Sequence, residues 1–434
     1  MSSELIGLIG MAILFVLLGL RVPVAFAMFA VGFIGNWILN SPAAALSQLA
    51  SDAFSLSSSA ELVVVPLFIL MGNVATETGM SRKLYDAAYA TIGSVRGGLA
   101  SATVVACGGF AALSGSSVAS ALTIGRVSLS EMDRFDYDNR LSTGVVAAGG
   151  TLGILIPPST GFVIYALLTQ ESIGRLFLAG VLPGLLLLGM FLLTISILTW
   201  FNPAYGPAGP KTTIGEKGRA MIGAAPILLV IFLTIGGIYG GFFSPVEAAA
   251  VGAGLVIVFG AFMGKITFKL LWKASRESVI TTATVMLILI SAYMIKTFLA
   301  LSHIPQALGG VLENLAIPVV GVLAIMLAIY LILGCFLEGF AMMVLSMPIF
   351  FPVVQQLGID PIWFGVLVVL TLEMGLISPP VGLNVFIVKS VAPGVPLSRI
   401  FRGVVPFWFA MLITLVILVA FPQISLILPN TMIN

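Results

Sequence analysis

The 434-residue sequence predicts an all-α polytopic membrane protein built from two inverted copies of one module, each with a re-entrant hairpin and a broken helix. Three observations carry this expectation. Apolar residues make up 59% of the chain and charged residues only 8%, where a soluble domain is about one quarter charged. Mean hydropathy is +1.18. A set of short motifs also recurs in the same order about half a chain length later. The composition excludes a water-soluble enzyme, a disordered chain and a coiled coil. A net charge of +2 with 19 basic residues, most of them between lipid-embedded segments, excludes a surface that tracks nucleic-acid phosphates. Cys107 and Cys335 both lie in apolar runs, which excludes a disulfide framework or a zinc cluster. A single histidine, His303, argues against a histidine metal site or a Ser-His triad.

The elements follow in order. Met1-Ser-Ser-Glu4 runs directly into an apolar stretch ending at Leu20, with no basic leader and no small-x-small cleavage site before Arg21. It reads as a retained first helix, near the roughly 20 residues that cross about 30 Å of hydrocarbon. Spans are expected at about 4–20, 23–39, 61–80, 143–168, 176–200, 221–241, 245–264, 278–300, 362–388 and 403–428. The serine-rich segment 41–60 reads as an interfacial helix or a plain loop. The stretches 98–125 and 316–357 are apolar but carry glycine and polar residues at their middles, the pattern of hairpins that enter and leave by one side.

Gly153-Ile-Leu-Ile-Pro157-Pro158 recurs as Gly375-Leu-Ile-Ser-Pro379-Pro380, 222 positions later, and Pro23-Val24 recurs as Pro245-Val246 at the same offset. Arg175-Leu-Phe through Pro183 recurs as Arg399-Ile-Phe through Pro406, offset by 224 and then 223. Gly115 precedes Gly153 by 38 residues, and Gly339 precedes Gly375 by 36. The halves are therefore 1–210 and 211–434. Five crossings and one hairpin in each half make the second insert upside down, a recurring build of secondary transporters. With the N-terminus outside, all of the 19 basic residues except Arg175, Lys296 and Lys389 fall on the inner side, a strong positive-inside bias. Both termini then lie outside. The segment 303–315 and Asp360 are also outside, and the linker 201–220 is inside.

Each half carries two motifs with chemical potential. Pro157 and Pro158 remove two backbone donors in mid-span, as do Pro379 and Pro380, so both helices must break. Bare peptide groups at membrane depth are tolerated only against protein or an aqueous cavity. The C-terminus of a half-helix offers carbonyls to a cation, and the N-terminus of the next attracts an anion. The plainer alternative is a structural kink. Ser114-Gly115-Ser116-Ser117 sits at the first hairpin tip, where four hydroxyls, counting Ser120, suit ligand binding; small-residue helix packing is the alternative. Glu338-Gly339 marks the second tip, and its carboxylate either binds a cation or caps a half-helix. Met342, Met343, Leu345, Phe350 and Phe351 read as an apolar outward face, suggesting a lid. Ser378 and Asn384 are the polar handles of the second break, and Glu373 is a second intramembrane carboxylate. Such groups are costly and usually functional. Glu247 reads as a helix cap, and His303 as structural.

The pieces Ser114-Gly-Ser-Ser117, Gly150-Thr-Leu-Gly-Ile-Leu-Ile-Pro-Pro-Ser159, Phe336-Leu-Glu-Gly339 and Ser378-Pro-Pro-Val-Gly-Leu-Asn384 resemble the large membrane subunit of tripartite ATP-independent periplasmic (TRAP) transporters. The resemblance covers essentially the whole chain, including the tail Ile424–Asn430. It implies an elevator-type transporter of the bacterial inner membrane that takes up a small organic anion, mostly a carboxylate, with sodium as coupling ion and no other cofactor. It also implies two partners, a small four-helix membrane subunit as a separate polypeptide and a periplasmic substrate-binding protein. Carried onto this sequence, one sodium site involves Ser114, Gly115, Ser116 and Gly153, and a second involves Gly339, Gly375 and Pro379. The substrate lies near Ser117, Ser159, Ser378 and Asn384. Many members carry aspartate at the second tip, whereas this chain has Glu338, whose longer arm moves the carboxylate. The competing expectation is a proton-coupled permease or channel using Glu338, Glu373 or His303. An intramembrane enzyme has no base near any membrane serine.

Overall fold

A computed structural model describes residues 2–20, 22–304, 306 and 318–432. Arg21, Pro305, 307–315 and the first two residues of the expected second hairpin, 316 and 317, lie outside the described residues, as do Met1, Ile433 and Asn434. The described chain is helical throughout. Its first half contains α1 (Ser3–Gly19), α2 (Val24–Leu39), α3 (Pro42–Ser58), α4 (Val64–Glu77), α5 (Met80–Ile92), α6 (Gly98–Ser114), α7 (Ser117–Arg134), α8 (Asn139–Leu155), α9 (Thr160–Thr169) and α10 (Ile173–Phe201). Its second half contains α11 (Ile214–Tyr239), α12 (Pro245–Phe262), α13 (Phe268–Leu301), α14 (Val319–Gly334), α15 (Gly339–Gln356), α16 (Pro361–Leu376), α17 (Leu383–Val391), α18 (Leu397–Ala420) and α19 (Gln423–Thr431).

Seven helices among the described residues are long and apolar enough to cross a membrane, or eight if the pair α8/α9, bent by 41°, forms one span. With no hydrophobic drive between lipid-embedded helices, packing relies on close backbone approach through small residues. Gly32 of α2 lies so near α13 that a Cβ there would stand 2.7 Å from the Ile295 nitrogen. The buried Asn36 amide donates to Met294 O at 3.1 Å across the same crossing. Gly144 of α8 meets Gly403 of α18 at a separation that leaves no room for a Cβ on either. Lys273 of α13 pairs with Glu77 of α4 at 2.7 Å.

Several elements differ in extent from the sequence expectation. The first hairpin's returning arm runs to Arg134, past the expected end at 125, because 117–134 keeps a helical pattern after its apolar part stops. The first broken helix begins at Asn139, where Asp138 caps it, four residues before the expected 143. The second spans Pro361–Leu376 and Leu383–Val391, slightly beyond the expected 362–388. The 278–300 span is the C-terminal part of the 34-residue α13, whose first turns carry Lys269, Lys273 and Arg276. The expected 403–428 span is two helices, parted at Phe421-Pro422. Segment 41–60 is mostly the helix α3, capped by Ser41 and packed on α2 and α13. The linker 201–220 is clasped to the base of the first hairpin. Gly97 donates to Gly206 O at 2.8 Å, Gly209 donates to Gly93 O at 3.0 Å, and the Thr212 hydroxyl donates to Ala90 O at 2.6 Å. Glu247 completes a capping box with Ser244, as its position suggested. His303 occupies a left-handed turn after α13. Cys107 and Cys335 are both free thiols.

Candidate functional site

The first tip is made by the turn from α6 to α7. Gly115 takes a left-handed φ of 56°, which ends α6, and the Ser116 hydroxyl accepts from the Ala119 amide at 3.3 Å to start α7. The Ser114 and Ser120 hydroxyls lie 3.1 Å apart inside the hairpin.

This tip is seated on the first break. A Cβ on Gly153 would stand 2.5 Å from Ser116 O and 2.7 Å from the Ser117 nitrogen, so only glycine lets α8 touch the tip peptide. A Cβ on Gly115 would in turn stand 2.8 Å from Pro158 O. The Thr160 hydroxyl donates to Gly115 O at 2.7 Å. The structure thus brings Ser114, Gly115, Ser116, Gly153, Pro158 and Ser159 into one cluster. The donors that a continued helix would offer to Gly153 O and Ile154 O fall at Pro157 and Pro158, which have no N–H. Both prolines are buried. Ser159 caps α9 by accepting from the Phe162 amide at 3.3 Å.

Ser117 reaches the other half of the chain, donating to Glu373 Oε1 at 3.0 Å. Glu373 is fully buried on α16, and its Oε2 has no hydrogen-bond partner among the described residues. Asn384, at the start of α17, is fully buried with neither amide atom partnered among the described residues. A buried polar group normally finds a partner, and an entering ligand is one source. Among the described residues no group of three or more His, Cys, Asp or Glu is poised for a metal. The groups gathered at the first tip are carbonyls and hydroxyls, hard oxygen donors that suit an alkali or alkaline-earth ion.

The second tip is arranged differently. Gly375 of α16 lies against Gly334, at the end of α14, with a Cβ clearance of only 2.6 Å to the Gly334 Cα. A Cβ on Gly339 would meet nothing within 4 Å. Pro379 and Pro380 are exposed, in contrast to their first-half counterparts. Glu338 precedes α15, but its side chain makes no cap hydrogen bond. Met342, Met343 and Leu345 are buried, so the outward apolar face expected for this hairpin points into the core instead. Ser378 is engaged: it donates to Met374 O at 2.6 Å and accepts from the Trp408 indole at 2.9 Å.

Sequence reading missed the partners Trp408 and Thr160 and the Ser117–Glu373 contact. Thr160 directly follows the Pro-Pro-Ser run, which was a usable signal. Glu373 stands out in the sequence as an intramembrane carboxylate, but its pairing with Ser117, like that of Trp408 with Ser378, offered no signal, because these contacts join separate parts of the chain.

The family model described as "Tripartite ATP-independent periplasmic transporter, DctM component" matches residues 11–424. The C4-dicarboxylate TRAP transporter large permease protein DctM of Pseudomonas aeruginosa is 39% identical over 88% of this chain and 89% of its own length. The sialic acid TRAP transporter large permease SiaM of Vibrio cholerae is 32% identical, covering 85% and 86%. The ectoine/5-hydroxyectoine large permease UehC of Ruegeria pomeroyi is 30% identical, covering 95% and 96%. In fold, the chain is similar to the YdaH transporter of Alcanivorax borkumensis, with a TM-score of 0.64 at 14% identity over 88% of this chain and 89% of that one.

Proposed function

The chain belongs to the DctM-component family of tripartite ATP-independent periplasmic transporters, and on that premise we propose that it is the large permease of a sodium-coupled uptake system for a small organic anion. The observation that carries this reading is the seating of the first tip on the first break, with the Gly153 backbone pressed against the Ser116–Ser117 peptide. That contact gathers carbonyls and hydroxyls at a point where prolines have removed their usual donors. Sodium binds among Ser114, Gly115, Ser116 and Gly153. A second ion binds at Gly339, Gly375 and Pro379 once the second tip closes over its break. The anion lies between the two, near Ser117, Ser159, Ser378 and Asn384. The unpartnered amide of Asn384 supports this placement.

The substrate is a carboxylate such as a C4-dicarboxylate or sialic acid, or a sulfonate. A periplasmic binding protein delivers it, and a small four-helix subunit accompanies the permease in the inner membrane, with both termini of this chain periplasmic. The two halves form an inverted repeat whose hairpins and broken helices move as a core against the remaining helices, as in an elevator. The driving force suffices. At 100 mV each entering charge gains about 2.3 kcal/mol, and a tenfold sodium gradient adds about 1.4 kcal/mol. Two ions therefore supply roughly 7 kcal/mol. Carrying one negative charge inward consumes about 2.3 kcal/mol, leaving enough to concentrate substrate on the order of a thousandfold.

The test is uptake into proteoliposomes holding this chain and the small subunit, with loaded binding protein outside. An inward sodium gradient is expected to drive accumulation, and its collapse to stop it. Uptake indifferent to sodium but following pH would overturn the coupling and point to a proton-coupled permease working through Glu338 or Glu373.

A further inference from the structure

The last turn of α16 is held between parts of both hairpins. On one face Glu373 accepts a hydrogen bond at 3.0 Å from Ser117, the first helical residue after the first tip. Gly375, two residues on, faces nearly the opposite side, because each residue turns a helix by about 100°. There it lies against Gly334, where the outer arm α14 of the second hairpin ends; a Cβ on Gly334 would stand 3.0 Å from the Gly375 Cα. Ser117 belongs in turn to the peptide pressed onto Gly153. An unbroken line of contacts therefore runs from the first break, through the first tip and α16, to the second hairpin. The proposed first ion site lies at one end of this line and the proposed second at the other.

The middle link is costly to keep. Glu373 is 1% exposed, its Oε2 has no hydrogen-bond partner among the described residues, and Leu370, Leu372, Met374 and Leu376 are buried around it on α16. A buried carboxyl with one hydrogen bond lowers stability where an apolar side chain of similar size would not. The helix itself needs no polar group here, since it runs on to Leu376. Nor does the packing of α16 on the first half depend on it. Tyr165 of α9 fastens the start of α16 by donating to Pro361 O at 2.6 Å, about 18 Å along the helix from Glu373. What Glu373 adds is a directional bond between the first tip and the turn that carries Gly375.

We propose that Glu373 is a positioning residue that couples the two ion sites, an inference that rests on the sodium sites proposed above. Sodium at the first site fixes the Ser116–Ser117 peptide. The Ser117 hydroxyl then stays on Glu373 and holds the last turn of α16 in the orientation that offers Gly375 to the second ion. That turn is ordered once, by the first ion, so the second binds more tightly, and by linkage the reverse holds as well. Glu373 acts through its hydrogen bond and touches neither ion. For two equivalent sites coupled about 5- to 150-fold, the range usual for linked sites, the Hill coefficient is about 1.4 to 1.8.

The test is binding of radiolabelled sodium to the purified chain with its small subunit, at fixed pH and without anion. The unaltered chain is expected to bind two ions with a Hill coefficient of about 1.4 or more. Glu373→Ala should still bind two, with the coefficient down to about 1 and half-saturation about 2- to 12-fold higher. Glu373→Gln keeps an oxygen that accepts from Ser117 and should restore both values. Tyr165→Phe removes only the tie at the start of α16 and should leave the steepness unchanged. If Glu373→Ala does not fold, Ser117→Ala removes the same bond from the other side and is expected to show the same loss. Steep binding in either bond-deleting variant would overturn the proposal. So would a Glu373→Gln variant that behaves like Glu373→Ala, since the charge and not the bond would then matter. Loss of steepness in Tyr165→Phe would do the same, because general packing would then be the cause. An unaltered chain that binds two sodium ions with a coefficient of about 1 would end the coupling and leave the sodium sites standing. One that binds fewer than two would remove the second site and the coupling with it.

Discussion

Gly153 is the residue on which the proposed first ion site turns. Its substitution by alanine drives a methyl into the Ser116–Ser117 peptide, and overpacking of this kind costs about 1–3 kcal/mol. Gly153→Ala is therefore expected to raise the half-saturating sodium concentration about 5- to 150-fold, read from uptake at graded sodium, with membrane insertion unchanged. Gly339 behaves differently, because a Cβ there meets nothing within 4 Å in this arrangement. Gly339→Leu should insert and purify normally yet lose transport, since a larger residue obstructs only the closed second tip. Normal uptake by that variant would remove Gly339 from the second site. Glycine and proline positions were legible in the sequence because their demands on the backbone are local. The roles of Ser117 and Ser378 were not. Their partners Glu373 and Trp408 stand 256 and 30 residues away, and no local pattern couples them.

At the scale of elements, a helix break works by withholding donors. Pro157→Ala together with Pro158→Ala would return N–H groups to Gly153 O and Ile154 O and let α8 run on into α9. The double variant is expected to keep or raise its melting temperature, measured in detergent, and to lose sodium-dependent uptake; uptake at the unaltered level would refute the assigned role of the break. Apolar runs placed most long helices well, since length and hydropathy suffice for a span. They failed where a helix leaves the apolar zone. The helix α5, Met80–Ile92, was missed because Ser81, Arg82, Lys83 and Asp86 interrupt its apolar pattern. The N-terminal turns of α13 were lost for the same reason. The end of α18 was overrun because Phe421-Pro422 lies between two equally apolar stretches.

For the whole molecule, the charge distribution predicts that both ends face outward. Single cysteines at Ser2 and Thr431, in a chain lacking Cys107 and Cys335, should react with a membrane-impermeant maleimide added to spheroplasts. A cysteine at Lys217 in the linker should react only after permeabilisation. Labelling of the termini only from the inside would reverse the orientation and the direction assigned to the ion gradient. What the sequence by itself determined was the membrane setting, the helical class, the family and the positions of both breaks, because these follow from composition and from glycine and proline, which act where they stand. Only the tertiary structure decided that the first tip is seated through Gly153 while the second meets its broken helix through Gly334 and Gly375 and leaves Gly339 clear, that Met342, Met343 and Leu345 face inward, and that a cleft parts α14 from α18. Those outcomes depend on how closely distant backbones approach, and two near copies of a motif pack differently once their neighbours differ by a few side-chain volumes.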